Sequence, residues 1–278
     1  MTINQITTGT DIITAFDNYT WIDGTNYDSS NNTATFNLTS QTGCDSVVTL
    51  NLTILKRTYI PDDNFEAYLE THDASGNLVT IGDASSMGDG IANNDSVITA
   101  SISVVTYLNV QNQNIADLTG VQDFINLAHL ECYNNLLTSL NVSQNSALTN
   151  LSINNNQLTV LDVSQNTSLQ KLQCRDMLLT TLDVSQNPVL TLLRTDRNQL
   201  TELDVRSNTA LTHLEVWDNQ LTRLDLRNGN NTNFSVLQAY GNPNFEENFY
   251  LIGLQYGIIY GVFLYELRTT KKLFHHFK

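Results

Sequence analysis

The sequence predicts a β-rich solenoid, a coil of short parallel strands stacked one above the next. Three observations predict it. Leu127, Leu148, Leu169, Leu190 and Leu211 stand 21 residues apart, and a 22-residue unit beginning at Val105 precedes them. The units follow one pattern, L-x-x-L-x-φ-x-x-N-x-L-x-x-L-D-V-S-x-N with φ apolar, as in Leu148, Leu151, Ile153, Asn156, Leu158, Leu161, Asp162, Val163, Ser164 and Asn166. The apolar residues alternate only briefly before turn-forming side chains return, so each unit holds one short strand that cannot bury its own leucines without neighbours.

This period and pattern are those of the leucine-rich repeat. The L-x-x-L-x-φ segment supplies the strand. Leu130 and Cys132, Leu151 and Ile153, Leu172 and Cys174, Leu193 and Thr195, and Leu214 and Val216 point inward at strand period. Parallel strands lie about 4.8 Å apart, so each position becomes a continuous column. Asn135, Asn156, Asn198, Asn219 and Asn242 form one column, placed to satisfy the backbone of the turn that leaves the strand. Met177 interrupts it, which predicts a loosened or re-bonded turn with the repeat retained. The L-D-V-S-x-N half is too short and polar for an α-helix. Asp162, Asp183, Asp204 and Asp225, with Asn145, Asn166, Asn187 and Asn208, predict an extended or turn-like back. In the 22-residue unit, Leu118-Thr119-Gly120-Val121 and Phe124 leave room for a short 3₁₀ turn.

The flanks divide the chain further. Residues 1–56 read as a small all-β module, with alternation at 19–22, 33–38 and 47–54 between turn signals. Its Trp21 and Tyr27 suit sugar stacking, but a core role is the stronger reading for a lone Trp in so small a unit. Residues 57–104 read as an N-terminal cap. Pro61-Asp62-Asp63-Asn64 opens a short amphipathic helix carrying Phe65, Tyr68 and Leu69, able to close the end of a repeat array. An acidic loop follows. Asp83, Asp89, Asn93 and Asp95 have the oxygen ligands of a calcium loop but lack its full twelve positions and closing Glu, so a plain Asx-rich turn is the competing reading. Residues 105–245 are the repeats. Residues 246–278 are a divergent apolar and basic tail. Its run Phe249–Tyr265 has 17 residues, short of the roughly 20 a membrane helix needs. Sequence foreign to the natural frame ranks first for it, a cap on the last coil second, and a span third.

Composition narrows the function. The formal charge is −15, and residues 1–248 carry 9 basic against 27 acidic side chains, a surface that repels nucleic acid and anionic membranes. Three cysteines give no disulfide framework, and Cys132 and Cys174, two coils or about 9.6 Å apart, cannot bridge. Residues 1–10 lack a basic start and an apolar core, so either the protein is cytosolic or its true N-terminus is missing from the sequence. Glu131 and Glu215 fall about 19 Å apart, against about 5–9.5 Å for paired glycosidase carboxylates. No Ser-His-Asp set, phosphate loop or zinc motif occurs, so an enzyme is not expected.

Function is expected on the outward strand positions, which make the concave face. Their third column, Gln111, Tyr133, Asn154, Arg175, Asp196, Trp217 and Tyr240, flanks a second that includes Glu131, Arg194 and Glu215. Arginine and aromatics among amides are the composition of recognition surfaces. Tyr133, Arg175, Arg194, Asp196, Trp217 and Tyr240 are therefore the candidate ligand-binding residues, weighed against a solvated sheet in which Trp217 merely packs on Tyr240.

The LTxLDVSxN backs, Tyr59-Ile60-Pro61-Asp62-Asp63-Asn64-Phe65 and Gly88-Asp89-Gly90-Ile91-Ala92-Asn93-Asn94-Asp95 resemble Bacteroidetes-type surface leucine-rich repeat proteins, relatives of the internalins. The resemblance covers roughly residues 57–245. Residues 14–54, with Tyr19-Thr20-Trp21-Ile22-Asp23-Gly24 and Gly43-Cys44-Asp45-Ser46, resemble a module of large secreted and adhesin proteins. Phe16 stands near where that module carries a second cysteine, so the resemblance implies a free Cys44. It also implies a non-catalytic, secreted or cell-surface binding and adhesion module for a protein or glycan, needing no cofactor beyond the calcium reading. A structural spacer, or an accessory region of a polysaccharide-degrading surface protein, is the alternative.

Overall fold

The computed structural model describes residues 7–39, 46–226 and 234–243. The expectations for Cys44 and for the tail lie outside them. The chain forms two compact units, one comprising residues up to Thr58 with Ile98–Ala100, the other the remainder.

In the first unit, β1 (Thr7–Phe16), β2 (Tyr19–Thr20), β3 (Asn26–Tyr27), β4 (Thr35–Leu38) and β5 (Ser46–Leu55) follow in order. β5 is central. It pairs in parallel with β1 from Thr7↔Ser46 to Phe16↔Leu55, and antiparallel with β4. β2 and β3 form a hairpin whose turn is fixed by Asp23, which accepts the Thr25 N–H at 2.8 Å. Trp21, Leu50 and Leu52 make the core, with Ile13, Ala15 and Phe36 against it. The Trp21 ring meets Phe36 edge-on, and its Nε1–H donates to Asp11 Oδ2 at 2.8 Å. Only 3% exposed, Trp21 serves the core and offers no face to a sugar. The strand β1 had no counterpart in the sequence reading.

Next come β6 (Arg57–Tyr59), α1 (Asp63–Thr71), β7 (Ser96–Ile98) and α2 (Thr99–Ser103). Asp62 caps α1, accepting the Asn64 and Phe65 N–H groups. Phe65, Tyr68 and Leu69 are buried, and Phe65 stacks on Phe124 of the first coil at 6.3 Å. The second Asp62 oxygen accepts Ala116 N–H at 2.7 Å and Asp117 N–H at 3.1 Å, so one side chain starts the helix and binds it to the solenoid.

The solenoid strands are β8 (Tyr107–Asn109), β9 (His129–Glu131), β10 (Asn150–Ser152), β11 (Lys171–Gln173), β12 (Leu192–Arg194), β13 (Glu202–Asp204), β14 (His213–Glu215), β15 (Arg223–Asp225) and β16 (Val236–Gln238). Seven make one parallel sheet in the order β16-β14-β12-β11-β10-β9-β8. Leu108, Leu130, Leu151, Leu172, Leu193, Leu214 and Leu237 sit at each strand centre and are buried. The back is extended or turned, as predicted, with a single parallel bridge at Asp162↔Asp183 that widens into the pair β13–β15. A 3₁₀ turn occupies Val121–Asp123.

Two asparagine columns tie coil to coil. Asn156 donates to Cys132 O and Ile153 O and accepts Leu137 N–H. Asn198, Asn219 and Asn242 repeat the arrangement. On the back, Asn145, Asn166, Asn187 and Asn208 each donate twice to carbonyls one coil earlier. Met177 is buried in its column and the coil persists, but Ile153 O and Cys174 O each keep one asparagine donor instead of two.

Candidate functional site

Strand parity builds the concave face. With the central leucine of each strand buried, its two neighbours and the residue two further on point outward. The face divides along its axis. Its N-terminal half is dominated by amides and two tyrosines, Tyr107 and Tyr133, with Tyr107 edge-on to His129 at 6.2 Å. The C-terminal half is charged and aromatic. The fold brings Arg175, Arg194, Asp196, Trp217 and Tyr240 together on successive coils and leaves Tyr133 two coils away.

Arg175 and Arg194 are each held at one edge by a carboxylate of the next coil. Arg175 Nε donates to Asp196 Oδ2 at 2.9 Å. Arg194 Nε donates to Glu215 Oε1 at 2.9 Å and its Nη1 to Gln173 at 3.3 Å, while His213 Nε2 lies 2.7 Å from the same Glu215 oxygen. Burial would raise the Glu215 carboxyl, but the His213 contact and the Arg194 charge outweigh it and hold the group below its ordinary value. Trp217 and Tyr240 stack with ring centres 5.3 Å apart and planes within 14°.

Asp196 departs from the sequence reading. It stands in the outward column but is fully buried, with Arg175 on one oxygen. Burial pushes its carboxyl up, against the pull of Arg175 and Arg197. In this state Asp196 positions Arg175 and presents no surface of its own.

Sequence reasoning missed Arg197. The residue after the outward column is left-handed in every coil: Asn112, Asn134, Asn155, Asp176, Arg197, Asp218 and Gly241. Asparagine, aspartate and glycine suit that conformation and arginine does not. Asn155 donates to Asn134 and Asn134 to Asn112, a ladder of amides that becomes an ion pair where Arg197 meets Asp176. The Arg197 guanidinium also lies 4.6 Å from the centre of the Trp217 ring. Arg197 belongs to the coil before Trp217 and Tyr240 to the coil after, so the indole is enclosed on both faces. An arginine in an otherwise Asn/Asp/Gly column was the signal available.

Two of the proposed calcium ligands are engaged in hydrogen bonds within the loop itself. Asp83 closes its own turn by accepting from the Ser85 N–H and hydroxyl, and Asp89 takes the Ile91 N–H, the Asn94 amide and the Ser96 hydroxyl. Among the described residues the acidic trio whose oxygens approach within 4.8 Å is Asp63, Glu66 and Asp95, sharing only Asp95 with that set. What orders the loop is α1. Glu70 accepts Asp89 N–H at 2.6 Å and Gly90 N–H at 2.9 Å, and Glu66 accepts Asn94 N–H at 3.0 Å and Asp95 N–H at 3.1 Å. Burial pushes the Cys174 thiol up to about 12 and the Cys132 thiol higher still, so both are inert core residues.

No family model matches the chain, and no curated protein does. Among solved structures, the functional domain of InlJ from Listeria monocytogenes, which includes a cysteine ladder, is 36% identical over 63% of this chain, with a TM-score of 0.53. The fold is a leucine-rich repeat solenoid. The chain spans 37% of that InlJ structure. Further neighbours are a leucine-rich repeat protein of Leptospira interrogans, 30% identical over 45% of this chain and 34% of its own with a TM-score of 0.43, and internalin C2 of Listeria monocytogenes, 20% identical over 66% and 88% with a TM-score of 0.49. Among the described residues no helix is long and apolar enough to cross a membrane.

Proposed function

We propose that the solenoid is a non-catalytic binding module of adhesion type, secreted or displayed on a cell surface, and that the C-terminal half of its concave face takes a protein partner. The observation that carries this reading is the concentration of Arg175, Arg194, Trp217 and Tyr240 on adjacent coils. These are the residue types that dominate binding energy at protein interfaces. The internalin-like neighbours support it. A protein suits the site better than a glycan because Arg197 and Tyr240 enclose the Trp217 ring, leaving it no open face for a sugar.

Selection of a phage-displayed random peptide library on the full chain, beside a glycan array, tests the reading. Arg194→Ala and Tyr240→Ala are each expected to weaken the selected peptides about tenfold or more, while Tyr107→Ala at the opposite end leaves them unchanged. Peptides indifferent to both changes, or binding confined to the glycan array, would refute it.

A further inference from the structure

Three anomalies meet at one point of the concave face. The Oδ1 oxygen of Asp196 is buried and has no hydrogen-bond partner. The Nε1–H of Trp217, at the matching position of the next coil, is buried and has none either. Arg197, beside both, holds a left-handed backbone that the other coils give to asparagine, aspartate or glycine. Other buried oxygens without a hydrogen-bond partner, those of Asn145, Asn166 and Asn187, recur coil by coil and belong to the repeating back. Those of Asp196 and Trp217 do not recur. Buried groups without partners cost stability, and local strain is retained where surrounding structure or function requires it.

An ionised carboxylate oxygen is only an acceptor and an indole N–H is only a donor. A partner satisfying both must bring a donor and an acceptor side by side. We infer that Asp196 Oδ1 and Trp217 Nε1 are a matched pair that reads the primary carboxamide of an Asn or Gln of the protein partner, its N–H donating to Asp196 and its C=O, on the same edge of the group, accepting from Trp217. Arg197 is the cover: its guanidinium lies over the indole and 4.0 Å from Asp196 Oδ2, and it must swing aside for the amide to enter. A sugar hydroxyl could also satisfy both atoms. The carboxamide is the better fit because it holds a donor and an acceptor rigidly side by side in one plane, as the two atoms require. This inference rests on the protein-binding reading above.

The chain has two tryptophans, so selective ¹⁵N labelling gives two indole signals, and Trp21, already bonded to Asp11, serves as the internal control. Acetamide, whose N–H and C=O share one edge, is the probe, with D-glucose as the hydroxyl counterpart. The Trp217 indole proton should move downfield and saturate with acetamide while Trp21 stays still. Asp196→Asn should weaken the response, and Arg197→Asn, which restores the residue type of the other coils and removes the cover, should strengthen it. A Trp217 signal unmoved by the amide in both wild type and Arg197→Asn overturns the inference, and one moved by glucose alone overturns it in favour of a glycan. Because Asp196→Asn could disturb folding, Trp217→Phe supplies an independent reading. It should leave the melting midpoint unchanged or raised, since the deleted N–H had no partner, yet weaken the selected peptides roughly tenfold. Peptides that lose affinity with Arg194→Ala but not with Trp217→Phe overturn this inference alone. Peptides indifferent to both overturn the binding reading beneath it.

Discussion

Asp62 employs both carboxylate oxygens. One caps α1 and the other takes two N–H groups of the first coil, so a single residue fixes the closure of the solenoid. Asp62→Ala is expected to cost about 2–3 kcal/mol, more than an ordinary helix cap, as a lower denaturation midpoint by circular dichroism. Met177 shows the converse. Asparagine there would restore second donors to Ile153 O and Cys174 O and an acceptor for Leu158 N–H, so Met177→Asn should stabilise by about 1 kcal/mol in the same measurement. At this scale the sequence was informative wherever position within the period determined the role. The asparagine columns and inward leucines follow from spacing alone. Asp196 did not, because parity says which way a residue faces and not what its neighbours then lay over it.

At the scale of elements, α1 was legible from its cap and apolar spacing, but its second duty was not. Glu66 and Glu70 are one turn apart and resemble solvent-facing helix carboxylates, yet both are buried against the loop backbone. The contact is tight enough that any side chain at Gly88 would run into the Glu70 carboxylate, 2.0 Å from where a Cβ would stand. Burial raises the Glu70 carboxyl above its usual 4.5, and its two backbone donors oppose this. A carboxyl that binds its proton more tightly folded than unfolded contributes most below about pH 4.5, and its contribution declines as pH climbs through the raised value. Melting midpoints of wild type and Glu70→Gln between about pH 4 and 8 should reflect this, with wild type losing ground to the variant as pH rises. The strand β1 escaped the sequence reading for a different reason. Its Thr-Thr-Gly-Thr start is a weak strand signal, and its parallel partner β5 begins 39 residues further on, beyond any local pattern.

At the scale of the whole solenoid, the two halves of the concave face have distinct chemistry on one seven-stranded parallel sheet. The net charge of −15 gives little hint of this, because the arginines of the site are paired with Asp176, Asp196 and Glu215 and add little net charge. The period revealed the array and its face, while the pairing inside the face depends on the tertiary structure.

The back asparagines carry a consequence for how such a chain can change length. Asn187 donates to Val163 O and Asn166 O, and Asn208 donates in the same way to Val184 O and Asn187 O. Excising residues 169–189 would join Ser168 to Leu190, hand Val163 O and Asn166 O to Asn208, and place Asn198 beside Asn156, bypassing Met177. The shortened chain should fold cooperatively with a parallel-sheet spectrum, yet lose binding with Arg175, whereas removing one residue fewer or more would misalign the columns and prevent folding. Gene duplication or loss in whole coils could thus lengthen or shorten the grip of this surface while leaving its folding intact, so reach and specificity can evolve as separate traits.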